Sequence, residues 1–221
     1  MQIEAASLES NPVNPACSGW VYAYGLYQPR WKIARHLNSD WSQAVILAKR
    51  KSEAIIEGFG RIIAGHLETI LLEDEEYAIT HVPAEENHQL YLFLDCGRCA
   101  TEVLAAAIYS HLKHRENVLP VSVLTQVKPK QKKQHQCSTD AERAENVKDI
   151  YAVTQSGLIY GKCVILVDDV LTSGATMREC AKVLKSAGAR SVMGIALART
   201  ERARRPVFAY DWDPWPGDEA A

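Results

Sequence analysis

The sequence predicts an α/β fold, a mostly parallel central sheet flanked by helices with a small N-terminal appendage or hood. Three observations lead there. Short apolar runs that suit buried strands alternate with segments whose apolar residues recur at helical spacing. One run, Val164-Ile165-Leu166-Val167, is uniformly apolar, as strands covered on both faces are. A length of 221 residues suits one sizeable core with a smaller appendage rather than two full domains. The expected division is a helical or hood segment over 1–75, a core over 76–205 and a tail over 206–221, with no internal repeat.

The elements follow in order. Residues Trp41 to Thr69 predict one or two helices, with Ser42 as a cap and Val45, Ile46, Ile55, Ile56, Ile62, Ile63 and Leu67 as the apolar stripe. The basic group Lys49-Arg50-Lys51 is expected on the solvated face. Ala78 to Pro83 predicts a short strand, Leu90 to Leu94 is a further apolar run, Ala100 to His111 is helical in pattern, and Val121 to Val127 is a third strand. Pro129 to Glu145, basic and then acidic, predicts a long mobile loop. Val164 to Val167 is a buried strand leading into the phosphate turn, and Thr176 to Ser186 is the helix after it, stopped by Gly188. Ser191 to Leu197 is the last strand, ahead of a charged tail bearing Pro and Trp.

Bulk properties narrow the classes. A net charge of −2 gives no overall drive toward nucleic acid or anionic membrane, so any such binding needs a local patch. The first twelve residues carry Glu4 and Glu9 and have neither a basic start nor an apolar run, which argues against a secretory signal. No apolar stretch approaches the roughly 20 residues that span a bilayer. Six cysteines in a chain of this length, without a small-domain disulfide pattern, fit reduced thiols in a cytoplasm. Cys163 and Cys180 fall in apolar patterns and are expected in the core.

The most informative stretch runs from Val164 to Thr176. Asp168 and Asp169 follow the apolar strand at its carboxyl end, where α/β sheets present ligands, and both can accept hydrogen bonds from sugar hydroxyls. Thr172, Ser173, Gly174, Ala175 and Thr176 then form a tight turn at a helix start, where backbone N–H groups and hydroxyls converge on one phosphate. A rival P-loop at Gly157 and Gly161-Lys162 fails. Three residues rather than four separate its glycines, Cys163 replaces the Ser/Thr, and a strand follows instead of a helix. Gly161-Lys162 reads instead as the turn feeding the strand.

The 164–176 run resembles the phosphoribosyl-pyrophosphate (PRPP) motif of type I phosphoribosyltransferases. Further segments are similar to the ComF group, predicted phosphoribosyltransferases linked with bacterial DNA uptake. These are Thr80-His81-Val82-Pro83, Arg143-x-x-Asn146-Val147-x-x-Ile150-Tyr151-x-Val153, and Ala196-Leu197-Ala198-Arg199-Thr200. The resemblance spans about Ile79 to Thr200. It departs at two places: only Cys17 precedes residue 90, so the group's four-cysteine zinc ribbon is absent, and Cys96-Gly97-Arg98-Cys99-Ala100 keeps only the glycine of the diphosphate-binding stretch.

The resemblance implies a transferase that moves phosphoribose from PRPP to a nitrogen acceptor and releases pyrophosphate. Asp168 and Asp169 would be its catalytic acids, near a magnesium ion carried by PRPP rather than ligated directly by the chain. Residues 172–176 would seat the 5′-phosphate, while Cys96, Gly97 and Arg98 would lie at the diphosphate. Lys130, Lys132 and Lys133, in the run Lys128 to Lys133, would belong to a closing lid or else form a solvated charge run. Thr172 stands where 6-oxopurine members carry a carboxylate, which weakens a hypoxanthine or guanine reading. Two other classes stay open: a non-catalytic PRPP or nucleotide sensor controlling a partner, and an effector subunit of a bacterial defence or DNA-processing operon. Expected partners are PRPP and an acceptor, with a homodimer or an operon-encoded protein as further candidates.

Some residues carry two readings. Cys96 and Cys99 sit between a strand and a helix, which also suits a redox or metal role. His81, His88 and the His111/His114 pair show no metal spacing, and His81, at a strand end, is either core or substrate-facing. Trp20, Trp31, Tyr22, Tyr24 and Tyr27 either stack on a base as a hood or pack an N-terminal subdomain.

Overall fold

Nine residues from Cys163 to Leu171 form the central strand, and its first five, an uninterrupted apolar run, are stable only where both faces are covered. The structure, a computed structural model, describes residues 21–28, 34, 37–83, 99–132, 136–137 and 139–200. Its elements are β1 (Val21–Ala23), β2 (Leu26–Tyr27), α1 (Asp40–Lys49), α2 (Glu53–Ile70), β3 (Tyr77–His81), α3 (Ala100–Leu112) and β4 (Val118–Pro120). They continue with β5 (Leu124–Gln126), α4 (Asp140–Glu145), β6 (Tyr151–Val153), β7 (Cys163–Leu171), α5 (Ala175–Ser186) and β8 (Ser191–Thr200). The run Leu90 to Leu94 and the tail 206–221 lie outside the described residues.

The main sheet has the order β1-β8-β7-β3-β4, with β2 also on β8, and every pairing in it is parallel. Side chains alternate across it. Cys163, Ile165 and Val167 join a core with Val45, Phe59, Ile63, Leu67 and Ile108 from α1, α2 and α3. Val164 and Leu166 join a second core with Met177, Cys180 and Leu184 of α5 and with Leu124 and Tyr151. The expected mostly parallel sheet with helices on both faces is therefore present. Among the described residues no helix is long and apolar enough to cross a membrane.

Several expectations need adjustment. The helices expected within 1–75 exist, but β1, β2, α1 and α2 are joined to the sheet and its core rather than set apart from them. Ser42 is not the cap. Ser39 caps α1 by accepting the Ser42 N–H at 3.2 Å, and Ser42 itself is fully buried, with its hydroxyl accepting the Gln28 N–H at 2.9 Å. The expected strand over 121–127 splits. Pro120 ends β4 at the sheet edge, where a missing N–H is tolerated, and the chain then leaves to pair β5 antiparallel with β6. The expected loop over 129–145 contains α4, started by a capping box in which Thr139 accepts the Glu142 N–H at 3.1 Å. Two turns behave as read: Gly161 at φ 72° feeds β7, and Gly188 at φ 97° follows α5.

Candidate functional site at the carboxyl ends of β3 and β7

Asp168 and Asp169 occupy the end of β7 rather than a loop beyond it, and the strand's period of two sends them in different directions. Asp168 pairs in register with Ala196 and continues the row of Val164 and Leu166, the face covered by α5. Asp169 continues the row of Ile165 and Val167, the face covered by α1. Each carboxylate also accepts a local N–H: Asp169 N donates to Asp168 Oδ1 at 2.8 Å, and Val170 N donates to Asp169 Oδ1 at 2.5 Å.

That divergence gives the acids unlike partners. Asp169 Oδ2 accepts from Lys49 Nζ at 2.9 Å, so the basic group at the end of α1 is not simply solvated, contrary to expectation. Burial works against the Lys49 charge, but Asp169, and behind it Asp168, outweigh burial and hold the ammonium's pKa up. Asp168 is pushed well above the usual carboxylate range, first by burial and then by the neighbouring Asp169 charge. The Lys49 and Lys130 charges pull the other way. Lys130, expected in a lid, thus lies electrostatically close to Asp168.

The turn after β7 is shaped for close approach. Gly174 is the N-cap of α5 at φ 74°, a left-handed conformation that side chains rarely adopt. Gly174 has no side chain with which to cap this helix, and the Ala175 N–H donates to Ser173 Oγ at a long 3.4 Å. Thr172 Oγ1 lies 3.2 Å from Thr200 Oγ1 at the end of β8, and Arg178 Nη2 donates to the Ser173 carbonyl at 2.9 Å. Ala175 opens α5, and Thr176 follows it in the first turn. Among the residues expected at the site, 168–169 and 172–176 are thereby gathered at the carboxyl end of β7 and the start of α5. Lys132 lies on the loop, where its N–H donates to Asn146 Oδ1 at 2.9 Å and its carbonyl accepts from Asn146 Nδ2 at 2.8 Å. Cys96, Gly97, Arg98 and Lys133 lie outside the described residues.

Sequence reasoning missed Lys49 and Arg178. Arg178 was one helical turn from Gly174 and could have been found by spacing alone. Lys49 carried no local signal, because only the tertiary arrangement brings α1 to β7.

Beside the acids, His81 ends β3 opposite Val167 and is buried. It touches Cys99, the N-cap of α3. Burial alone would push the Cys99 thiol up, but hydrogen bonds with the His81 ring, the Thr101 hydroxyl and the Glu102 N–H outweigh it and bring the thiol to about 7. Tyr22 and Tyr24 pack in and against the core around His66, with ring centroids 4.9 and 5.7 Å away.

No curated protein sequence matches the chain. Among solved structures it is similar to an allosteric regulatory enzyme of purine biosynthesis, at 19% identity over 65% of this chain, with a TM-score of 0.38. The match spans only 26% of that enzyme, about a quarter of its length. A hypoxanthine phosphoribosyltransferase from Trypanosoma cruzi is 14% identical over 71% of both chains, with a TM-score of 0.40. One from Staphylococcus aureus is 10% identical over 71% of this chain and 69% of that one, with a TM-score of 0.41. The sequence itself matches the phosphoribosyl transferase domain over residues 101–216, just over half its length, and the match takes in β7, both acids and the turn into α5. The chain belongs to the phosphoribosyl transferase domain family.

Proposed function

We propose that the protein transfers the phosphoribosyl group of PRPP to a nitrogen acceptor. The acceptor nitrogen bonds to C1 of the ribose as the C1–O bond to pyrophosphate breaks, and the nitrogen's proton passes to solvent. The observation that carries this reading is the run from two acids at the end of β7, through a left-handed Gly174, into the start of α5. Residues Thr172 to Thr176 would hold the 5′-phosphate with backbone N–H groups and hydroxyls at the positive helix end. Arg178, one turn in, adds positive charge there.

Oxygen-only donors suit magnesium, and the two carboxylates fit it. Asp168 and Asp169 would lie near the ion, which when bound neutralises charge on the diphosphate. Asp168 and Asp169 would orient the ribose hydroxyls. Lys130, already near Asp168, would close over the diphosphate with Lys132 and Lys133. Cys96, Gly97 and Arg98 would meet the leaving group. Closure excludes water and keeps the acceptor in line. We place the chain nearest the ComF group on the segments described above, with a cytoplasmic location and a homodimer or an operon-encoded partner.

One observation favours a second reading, that of a PRPP or nucleotide sensor. Lys49 already satisfies one Asp169 oxygen, which a protein that binds without turnover tolerates. Titration with PRPP and magnesium, followed by a pyrophosphate-release screen over nucleobases, nucleotides and amines, separates the two. Release with any acceptor supports the transferase. Binding without release from every acceptor gives the sensor.

A further inference from the structure

A second set of ligating groups lies beside the acids and takes no part in the reaction proposed above. His81 closes β3, Cys99 caps α3, and Glu102 stands in the first turn of that helix. One ligand atom of each lies within 4.8 Å of the others. The i and i+3 spacing of Cys99 and Glu102 sets both on one helix face. Thr101 Oγ1 donates to the Val82 carbonyl at 2.8 Å, which ties the helix start to the strand end and fixes the third donor relative to the other two. His81 is buried, while Cys99 and Glu102 are half-buried, so the cluster is not a loose group of surface acids.

We propose that His81, Cys99 and Glu102 form a three-ligand site for a zinc-class divalent cation. The donor set decides the class of ion. Imidazole nitrogen, thiolate sulfur and one carboxylate suit zinc, whereas the neighbouring Asp168 and Asp169 offer the oxygen-only set of magnesium. Three protein ligands are enough for a zinc site, in which a water or another group completes the tetrahedron. The assignment stands whether or not the chain transfers phosphoribose.

Cobalt titration of the chelator-treated full chain tests it, with zinc affinity measured by competition against a chromophoric chelator. One cobalt per chain is expected, with a near-ultraviolet sulfur-to-cobalt band and visible bands of four-coordinate intensity, all displaced by zinc. Cys99→Ser should lose the sulfur band, whereas Cys180→Ser, altering a thiol buried against the α5 face, should keep it. Glu102→Gln should weaken zinc by more than the roughly tenfold that even outer-sphere changes cost. A wild-type protein without the sulfur band, or a band that survives Cys99→Ser, overturns the site. Should Cys99→Ser not fold, unchanged zinc affinity in folded Glu102→Gln overturns it equally.

Discussion

Asp168 and Asp169 are chain neighbours, yet one faces Lys49 and the other is held toward its neutral form by burial and by its neighbour's charge. A carboxylate with a raised folded pKa contributes stability that is fully present below its unfolded value, about 3.9. That stability is lost as pH rises through the folded value. Asp168→Asn should therefore raise the melting temperature of the ligand-free protein by about 2–4 °C at alkaline pH, the shift that 1 kcal/mol makes at this chain length. The gain should shrink on acidification while pyrophosphate release is lost, so melting and turnover measured across pH check both halves. Lys49→Met removes the cation beside the pair. The acidic limb of kcat/KM should move to higher pH, a shift read directly from pH–rate profiles. Gly174→Val forces a β-branched residue into a left-handed conformation and should weaken PRPP by about tenfold or more in a folded protein, as calorimetric titration would show. The acids and the phosphate turn were legible because adjacent residues encode them. Lys49 was not, since its partner lies 120 positions away in sequence.

Elements with strong local signals were predicted within a few residues. β7 and α5 carry an apolar run, a helical stripe and a stop glycine, all written locally. α4 was read as loop because it has six polar-to-small residues and no apolar stripe, although its Thr139-x-x-Glu142 start signature was in view. β1 and β2 are three and two residues long and exist through their pairing with β8, so no pattern of their own announces them. The basic loop is clasped where it meets α4, since Asn146 bonds both peptide groups of Lys132. Asn146→Ala should speed amide hydrogen exchange around Lys132 and cost about 1–3 kcal/mol for the groups left unpaired, measured by denaturant unfolding. Thr139→Ala should cost about 1 kcal/mol and fray α4 without changing the main sheet.

At the scale of the molecule, the sheet is finished by its first described residues. β1 and β2 cover one side of β8, whose first eight residues are all buried. A chain shortened to begin at Gln28 should expose that backbone, and size-exclusion chromatography should show it forming larger assemblies than the full chain does. The parallel class was readable from alternating strands and helices, but the strand order was not, because nothing local tells an edge which partner it meets. The order β1-β8-β7-β3-β4 also fixes a sequence of events in time. Val21 meets Gly194, so the first strand waits for the last to be synthesised. Sheet neighbours joined only through long crossovers must close large loops before any contact rewards them, which makes folding slow. A nascent chain lacking β8 therefore carries β1 and β2 unpaired, and completion of the sheet waits until β8 has left the ribosome.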